Sequence, residues 1–261
     1  METLLMPYCA NFEASRVTSL VMVSQPLATT PSEIIYPESD GKPMADNTKQ
    51  FRWIVQIQQN LDWLYADDPN VFVAGDLLWY PLKGRNTIVT APDVMVVLGR
   101  TKGDRTSYKQ WEEDNIPPQV VFEILSPSNS STEMDKKLLF YDRYGVQEYY
   151  IYDPDKNILR GWLKADDGLD VIGEIANWVS PRLGIRFDSS GEELQIYRPD
   201  GSKFFSYAEV NEQLEQEKQR AEQEKQRAEQ AQQELEKERQ RSQNLEDVLK
   251  KYRDRFGDVI E

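Results

Sequence analysis

The chain has 261 residues, with 31 Lys and Arg against 45 Asp and Glu, a formal net charge of −14, one cysteine and no histidine. These counts exclude a Ser-His-Asp or Cys-His dyad, an imidazole base, a His-ligated metal, an intrachain disulfide and a Cys-built zinc or iron–sulfur site. An enzyme built from this chain must work with carboxylates, lysines, hydroxyls or a hard cation held by oxygen, such as Mg²⁺, Mn²⁺ or Ca²⁺.

Residues 1–46 are rich in Pro and Ser and read as an extended arm, with Met22 as a candidate start. Glu2 and Glu13, and the lack of an early basic cluster, argue against a secretory leader. No run approaches the ~18–20 apolar residues of a membrane span. The unpaired Cys9 suits a reducing compartment, so the expected location is cytoplasmic. The net acidity argues against indiscriminate binding to DNA or an anionic membrane, although an average can hide a local basic face.

From residue 47 to 205 a folded domain is expected. Asn47 or Thr48 caps a helix with apolar positions Phe51, Ile54, Val55, Leu61 and Leu64. Strand-like runs follow at Val71–Tyr80, Ile88–Leu98, Val120–Ser126, Glu148–Asp153 and Asn157–Leu163. A helix over Thr132–Tyr144, with Gly145 as its C-cap, separates the third run from the fourth. This order indicates an α/β or α+β domain around one mixed sheet.

Composition changes near Ser206. From Glu209 to Glu261 there are fifteen acidic and eleven basic residues in 53, no Pro and one Gly, and the block Glu-Gln-Glu-Lys-Gln-Arg-Ala occurs in tandem at 215–221 and 222–228. Leu214, Ala221, Ala228, Leu235, Ser242, Leu249 and Phe256 recur every seven residues. Residues 206–261 therefore read as one long helix: either a coiled coil joining two copies, or a solvated helix laced by i,i+4 charge pairs.

Two carboxylates stand where the pattern calls for apolar residues. Asp93 opens Val94-Met95-Val96-Val97-Leu98, and Glu123 lies inside Val120-Val121-Phe122-Glu123-Ile124-Leu125. A buried carboxylate is costly unless paired, hydrogen-bonded, protonated or metal-bound. If adjacent strands bring the two together, a divalent cation would relieve their repulsion. The plainer alternative is that each is salt-bridged or faces water at a strand end.

The ordered segments Ala91-Pro92-Asp93-Val94, Phe122-Glu123-Ile124-Leu125-Ser126-Pro127, Lys137 four before Tyr141, Gly145-Val146-Gln147-Glu148-Tyr149-Tyr150 and Asp153-Pro154 resemble the bacterial Uma-type endonuclease family over about residues 45–165. That family lies in the restriction-endonuclease-like PD-(D/E)XK superfamily. The resemblance implies a restriction-endonuclease-like mixed sheet flanked by helices, and a divalent metal, Mg²⁺ or Mn²⁺, held by Asp93 and Glu123; the Ile124 carbonyl is a candidate further donor on chemical grounds. Leu125 stands where the superfamily motif has lysine, and the resemblance passes that role to Lys137 on the following helix, with Lys136 as the fallback. Asp76 is either an extra metal ligand or a turn acid. Glu148 either lines the site or bonds within the fold, and Ser126, Ser128 and Ser130 read as loop and helix-entry residues, since no base accompanies them.

Between Pro81 and Trp111, Lys83, Arg85, Arg100, Lys102, Arg105 and Lys109 stand against Asp93 and Asp104. The first five are candidate phosphate contacts for DNA, or else a solvated loop. No Gly-rich phosphate loop is present, so no nucleotide cofactor is expected. The expected function is a metal-dependent DNA endonuclease paired through its C-terminal helix. The alternatives are a cleavage-deficient nuclease fold that binds nucleic acid or protein, and a scaffold acting through the coiled coil.

Overall fold

The computed structural model describes residues 34–41 and 43–257. The expectations for Cys9, Met22 and the rest of residues 1–33 lie outside the described residues. The chain divides into two compact units, Met1–Ile35 and Tyr36–Glu261, and every described helix and strand belongs to the second.

Helix α1 spans Thr48–Leu64, and the Asn47 side chain caps it by accepting the Gln50 N–H at 2.9 Å. The buried stripe is Gln50, Trp53, Ile54, Ile57, Asn60 and Leu61, at the three- and four-residue spacing of one helix face. Phe51, one of the helix's apolar positions, is one step off that stripe and is exposed.

Strands β1 (Val71–Gly75), β2 (Trp79–Tyr80), β3 (Val94–Leu98) and β4 (Tyr108–Lys109) come next. The run Val71–Tyr80, expected as one strand, splits because Asp76 turns the backbone left-handed with φ 47°. Its N–H bonds to the carbonyls of Pro92 and Asp93 at 3.1 and 3.2 Å rather than continuing the ladder. The Ile88–Leu98 run likewise begins as loop and becomes strand only at Val94, after Pro92.

Strand β5 (Val120–Ile124), helix α2 (Ser131–Tyr144) and strand β6 (Glu148–Asp153) form a parallel crossover unit. Ser130 caps α2 at its start, and Gly145 closes it with φ 97°, a conformation costly for any residue with a Cβ. Strands β7 (Ile158–Ala165), β8 (Gly168–Val171), β9 (Arg186–Asp188) and β10 (Gln195–Tyr197) complete the body. Helix α3 (Tyr207–Phe256) then runs 50 residues.

The main sheet has the order β1-β3-β5-β6-β7-β8. Only the β5–β6 pairing is parallel, so the sheet is mixed. Side-chain alternation sends Val94, Val96, Phe122, Ile124, Tyr150 and Tyr152 to the α1 side, where they pack with Trp53, Ile57 and the β9–β10 residues Phe187 and Ile196. Met95, Val97, Val121, Tyr149 and Ile151 pack on the α2 side with Met134 and Tyr141. A capping box between Ser206 and Glu209 starts α3, none of whose residues is buried. Among the described residues no helix is long and apolar enough to cross a membrane.

Candidate active site

Strands β3 and β5 run antiparallel with Val94 opposite Phe122. One step further in the same register sets Asp93 opposite Glu123, and alternation turns both toward α2. Gly75 of β1 lies opposite Val94, so Asp76 follows at the same end of the sheet. The two anomalous carboxylates and the turn acid therefore share one edge of the fold.

Glu123 is only 2% exposed. Helix α2 holds both of its oxygens: the Lys137 ammonium lies 2.7 Å from Oε2, and the Tyr141 hydroxyl donates to Oε1. Lys137 and Tyr141 are four residues apart and so share one helix face. Asp93 Oδ2 accepts the backbone N–H of Ile124 at 2.6 Å, which fixes it beside the Glu123 strand.

Burial and then the neighbouring Glu123 raise the Asp93 carboxyl well above the usual carboxylate range, against the opposing pull of Lys137 and the Ile124 N–H. Burial alone would lower Lys137, but Glu123 and Asp93 outweigh it and hold the ammonium above its ordinary value. Lys137 is thus a fixed cation and not a base. Burial and then Glu123 push Tyr141 far up, so its hydroxyl stays a donor. Burial, followed by Asp40, raises Asp76.

An open cavity of about 510 Å³ borders this cluster, with Asp46, Gln50, Asp76, Asp93 and Lys137 in its wall. Gln50 was not singled out from the sequence. Its Nε2 donates to the Ile124 carbonyl at 2.8 Å, and its Oε1 accepts the Asp46 N–H at 2.8 Å. Asp46 in turn accepts the Ser126 hydroxyl at 2.6 Å and the Ser128 hydroxyl. A polar residue on the buried stripe of α1 was the available signal for Gln50; nothing in its sequence neighbourhood marks Asp46.

Glu148 lies elsewhere. It is buried on the α1 side, accepting the Tyr150 hydroxyl at 2.9 Å, the Ser180 hydroxyl and the Arg182 N–H at 2.7 Å, and so ties the 180–182 segment to β6. Leu125 is partly buried against the α2-side cluster.

The five basic candidates separate into two groups. Lys83 and Arg85 are exposed on the loop that leads to Asp93. Arg100, Lys102 and Arg105 lie past the other end of β3, roughly 20 Å along the strand. There Arg100 and Arg105 clamp Glu113 at 2.8 and 2.7 Å, and Lys102 meets Asp62 at 3.2 Å.

Two hard oxygen donors on neighbouring strands, with Asp93 raised by burial and then by Glu123, suit a divalent cation of the Mg²⁺ or Mn²⁺ class. Among the described residues no three acidic or thiol side chains lie close enough together to hold one ion. Asp76 therefore stands beside the Asp93–Glu123 pair and does not complete a three-carboxylate cage with it.

The sequence profile of the family described as Uma2, putative restriction endonuclease, matches residues 39–174. A crystal structure of a putative nuclease belonging to DUF820 from Anabaena variabilis ATCC 29413 is similar over 57% of this chain and 84% of that one, at 18% identity and a TM-score of 0.40. No curated protein matches.

Proposed function

The chain belongs to the Uma2 family of putative restriction endonucleases, and from that premise we propose that it is a divalent-metal-dependent endonuclease that hydrolyses phosphodiester bonds in DNA in the cytoplasm. Asp93, Glu123 and Lys137 are its catalytic groups. The observation that carries this reading is the Lys137 ammonium 2.7 Å from Oε2 of Glu123, beside the raised carboxyl of Asp93. A cation from α2 thereby stands where Leu125 offers none on the strand.

Asp93 and Glu123 would hold Mg²⁺ or Mn²⁺, with Asp76 at the rim of the site as an outer contributor. Such an ion supplies an acidified water and neutralises charge on the phosphate. The chain's own groups have distinct tasks. Asp93, in its ionised form, would be a ligand of that ion. Tyr141 orients Glu123 by donating to one of its oxygens. Lys137 holds the other oxygen and brings positive charge to where a phosphate would gain negative charge.

Lys83 and Arg85 flank the path to Asp93 and serve as phosphate contacts, with Arg100, Lys102 and Arg105 more distant members of the same electrostatic field. Residues 1–46, 47–205 and 206–261 act as arm, catalytic domain and pairing helix, and two copies associate through the helix. Pairing would present two sites to the two strands of a duplex.

A second reading is a nuclease-fold binding module without cleavage. It is favoured by the way Lys137 and Tyr141 already satisfy both oxygens of Glu123 from within the chain. Incubation of the full chain with supercoiled and linear DNA plus Mg²⁺ or Mn²⁺ separates the two. Metal-dependent cleavage that is lost in Asp93→Ala and Glu123→Ala supports the nuclease. DNA retention without cleavage by the wild type selects the binding module, and cleavage surviving both substitutions removes the site assignment.

A further inference from the structure

Helix α3 has no buried residue. Its C-terminal half nevertheless exposes Leu235, Leu245, Leu249, Tyr252 and Phe256, each accessible over more than half of its surface. Leu235, Leu249 and Phe256 fall on one seven-residue repeat and Leu245 and Tyr252 on its companion three residues later, so the five form one stripe. Five large apolar side chains on one face of a helix with no buried residue form a surface made to be covered.

We infer that a second copy of this chain covers this stripe in a parallel, in-register coiled coil confined to about residues 234–256. The inference rests on the self-association proposed above and is independent of cleavage. Three features of the sequence on this helix specify the arrangement.

The first is the layering. In parallel register each apolar residue meets its own counterpart, and Leu245, Leu249, Tyr252 and Phe256 make four consecutive apolar layers. An antiparallel overlay of the same segment breaks this block by setting Leu249 against Glu238 and Leu245 against Ser242, whereas the parallel register sets Glu238 and Ser242 against their own counterparts and leaves the block whole.

The second is charge. Across a parallel seam the residue before one core layer meets the residue five positions later in the partner helix. Glu234 then faces Arg239 of the second copy, and Arg241 faces Glu246 of the second copy. Both are opposite-sign pairs, each formed twice by symmetry. Within one chain Arg241 reaches only an exposed contact with Glu238 at 4.0 Å, which leaves it available to a partner.

The third is where pairing stops. Between Leu214 and Leu235 the stripe holds only Ala221, Ala228 and Ala231 as apolar members, interrupted by Glu217 and Glu224. The same flanking rule would set Arg220 against Lys225 of the second copy, a like-charge contact. The stretch from Glu215 to Gln233 therefore stays unpaired. At 1.5 Å per residue this stretch sets the paired segment about 28 Å from Leu214, with both bodies at the same end of the coil.

The test uses the full chain with Cys9→Ser as background and two single-cysteine variants, Leu235→Cys and Tyr252→Cys. Parallel register predicts that each variant, oxidised alone, forms a disulfide-linked dimer, because facing layers lie within disulfide reach. No antiparallel register can bring both positions to their own counterparts. A disulfide between the two variants when mixed, with neither forming one alone, would overturn the orientation and leave the dimer standing. Gln240→Cys, on the outer face, should cross-link little; efficient cross-linking there would mean random collision and would defeat the inference. Sedimentation of the reduced Cys9→Ser chain separates the remaining cases. A dimer without either cross-link places the interface elsewhere and overturns the inference, and a monomer at every concentration removes both it and the self-association beneath it. DNA cleavage in the same samples reports separately on the nuclease reading.

Discussion

The Nε2 of Gln50 donates to the carbonyl of Ile124 at 2.8 Å, tying α1 to the residue that immediately follows Glu123. The N–H of the same residue bonds to Asp93. Both backbone polar groups of Ile124 are therefore fixed by side chains from different elements, and the Asp93–Glu123 spacing depends on both. That carbonyl is a candidate further donor to the proposed metal, so the Gln50 amide sits on an atom the proposed chemistry would use.

Replacing Gln50 with Ala should remove that tie and leave the Ile124 carbonyl without a partner in a buried position. The expected loss is about 1–3 kcal/mol of stability, read by urea denaturation with an unchanged slope. A midpoint equal to that of the wild type would show that the amide does not brace the strand end.

Lys137 carries a larger share. Truncating it to Ala leaves Glu123 buried beside Asp93 with no cation, and breaking a buried pair in this way costs about 3–5 kcal/mol. Lys136, exposed on the same helix, should tolerate Ala with little change. The proposed metal site adds a second expectation: Mg²⁺ or Mn²⁺ should raise the melting temperature of Lys137→Ala more than that of the wild type, since a bound cation replaces the missing charge. Equal shifts in the two proteins would count against Asp93 and Glu123 as the place where the ion binds.

Much of this neighbourhood was legible because carboxylates inside apolar runs violate the strand pattern, and Asp93 and Glu123 do so on adjacent strands. The polar network around them was not, because Asp46, Ser126 and Ser128 look like ordinary loop residues and only the fold brings residue 46 to residue 126. Gln50 interrupts the buried stripe of α1 as plainly as Glu123 interrupts β5, yet an uncharged amide breaks the pattern less visibly. The basic residues show the opposite limit. Asp93 and Arg100 are close in sequence, but the five-residue strand between Asp93 and Gly99 puts them at opposite ends of the sheet. Local charge counts carry no information about which end a residue occupies. Asp76 shows how one left-handed residue cuts an apolar run that periodicity alone joins together.

The Glu113 clamp makes a pH prediction. Burial would raise this carboxyl, but hydrogen bonds from Arg105 and Arg100 overcome that and hold it below its ordinary value. A depressed folded value means that its stabilisation is fully present above the unfolded value of about 4.3 and is lost as the pH falls through the lower folded value. Acid titration of the wild type should therefore show a falling limb in that window, and Glu113→Gln should lack this part of it while being less stable at neutral pH. Parallel acid limbs in the two proteins would remove Glu113 as a contributor.

The separation of the basic residues predicts two different phenotypes. Lys83 and Arg85 are exposed on the loop that precedes Asp93, so the double substitution to Ala should leave stability within about 0.5 kcal/mol. It should also weaken DNA binding and lower the salt slope by about 1–2. Arg105 stands over the Phe72 ring at 3.9 Å and bonds Glu113, so Arg105→Ala should instead destabilise the fold. Its binding deficit should be small once the protein is compared below its melting transition. Measuring affinity at two or more salt concentrations beside thermal unfolding checks both halves. If Arg105→Ala alone reduced the salt slope by as much as the Lys83–Arg85 pair, the nucleic acid would have to run across the far end of β3, and the approach path proposed beside Asp93 would be wrong.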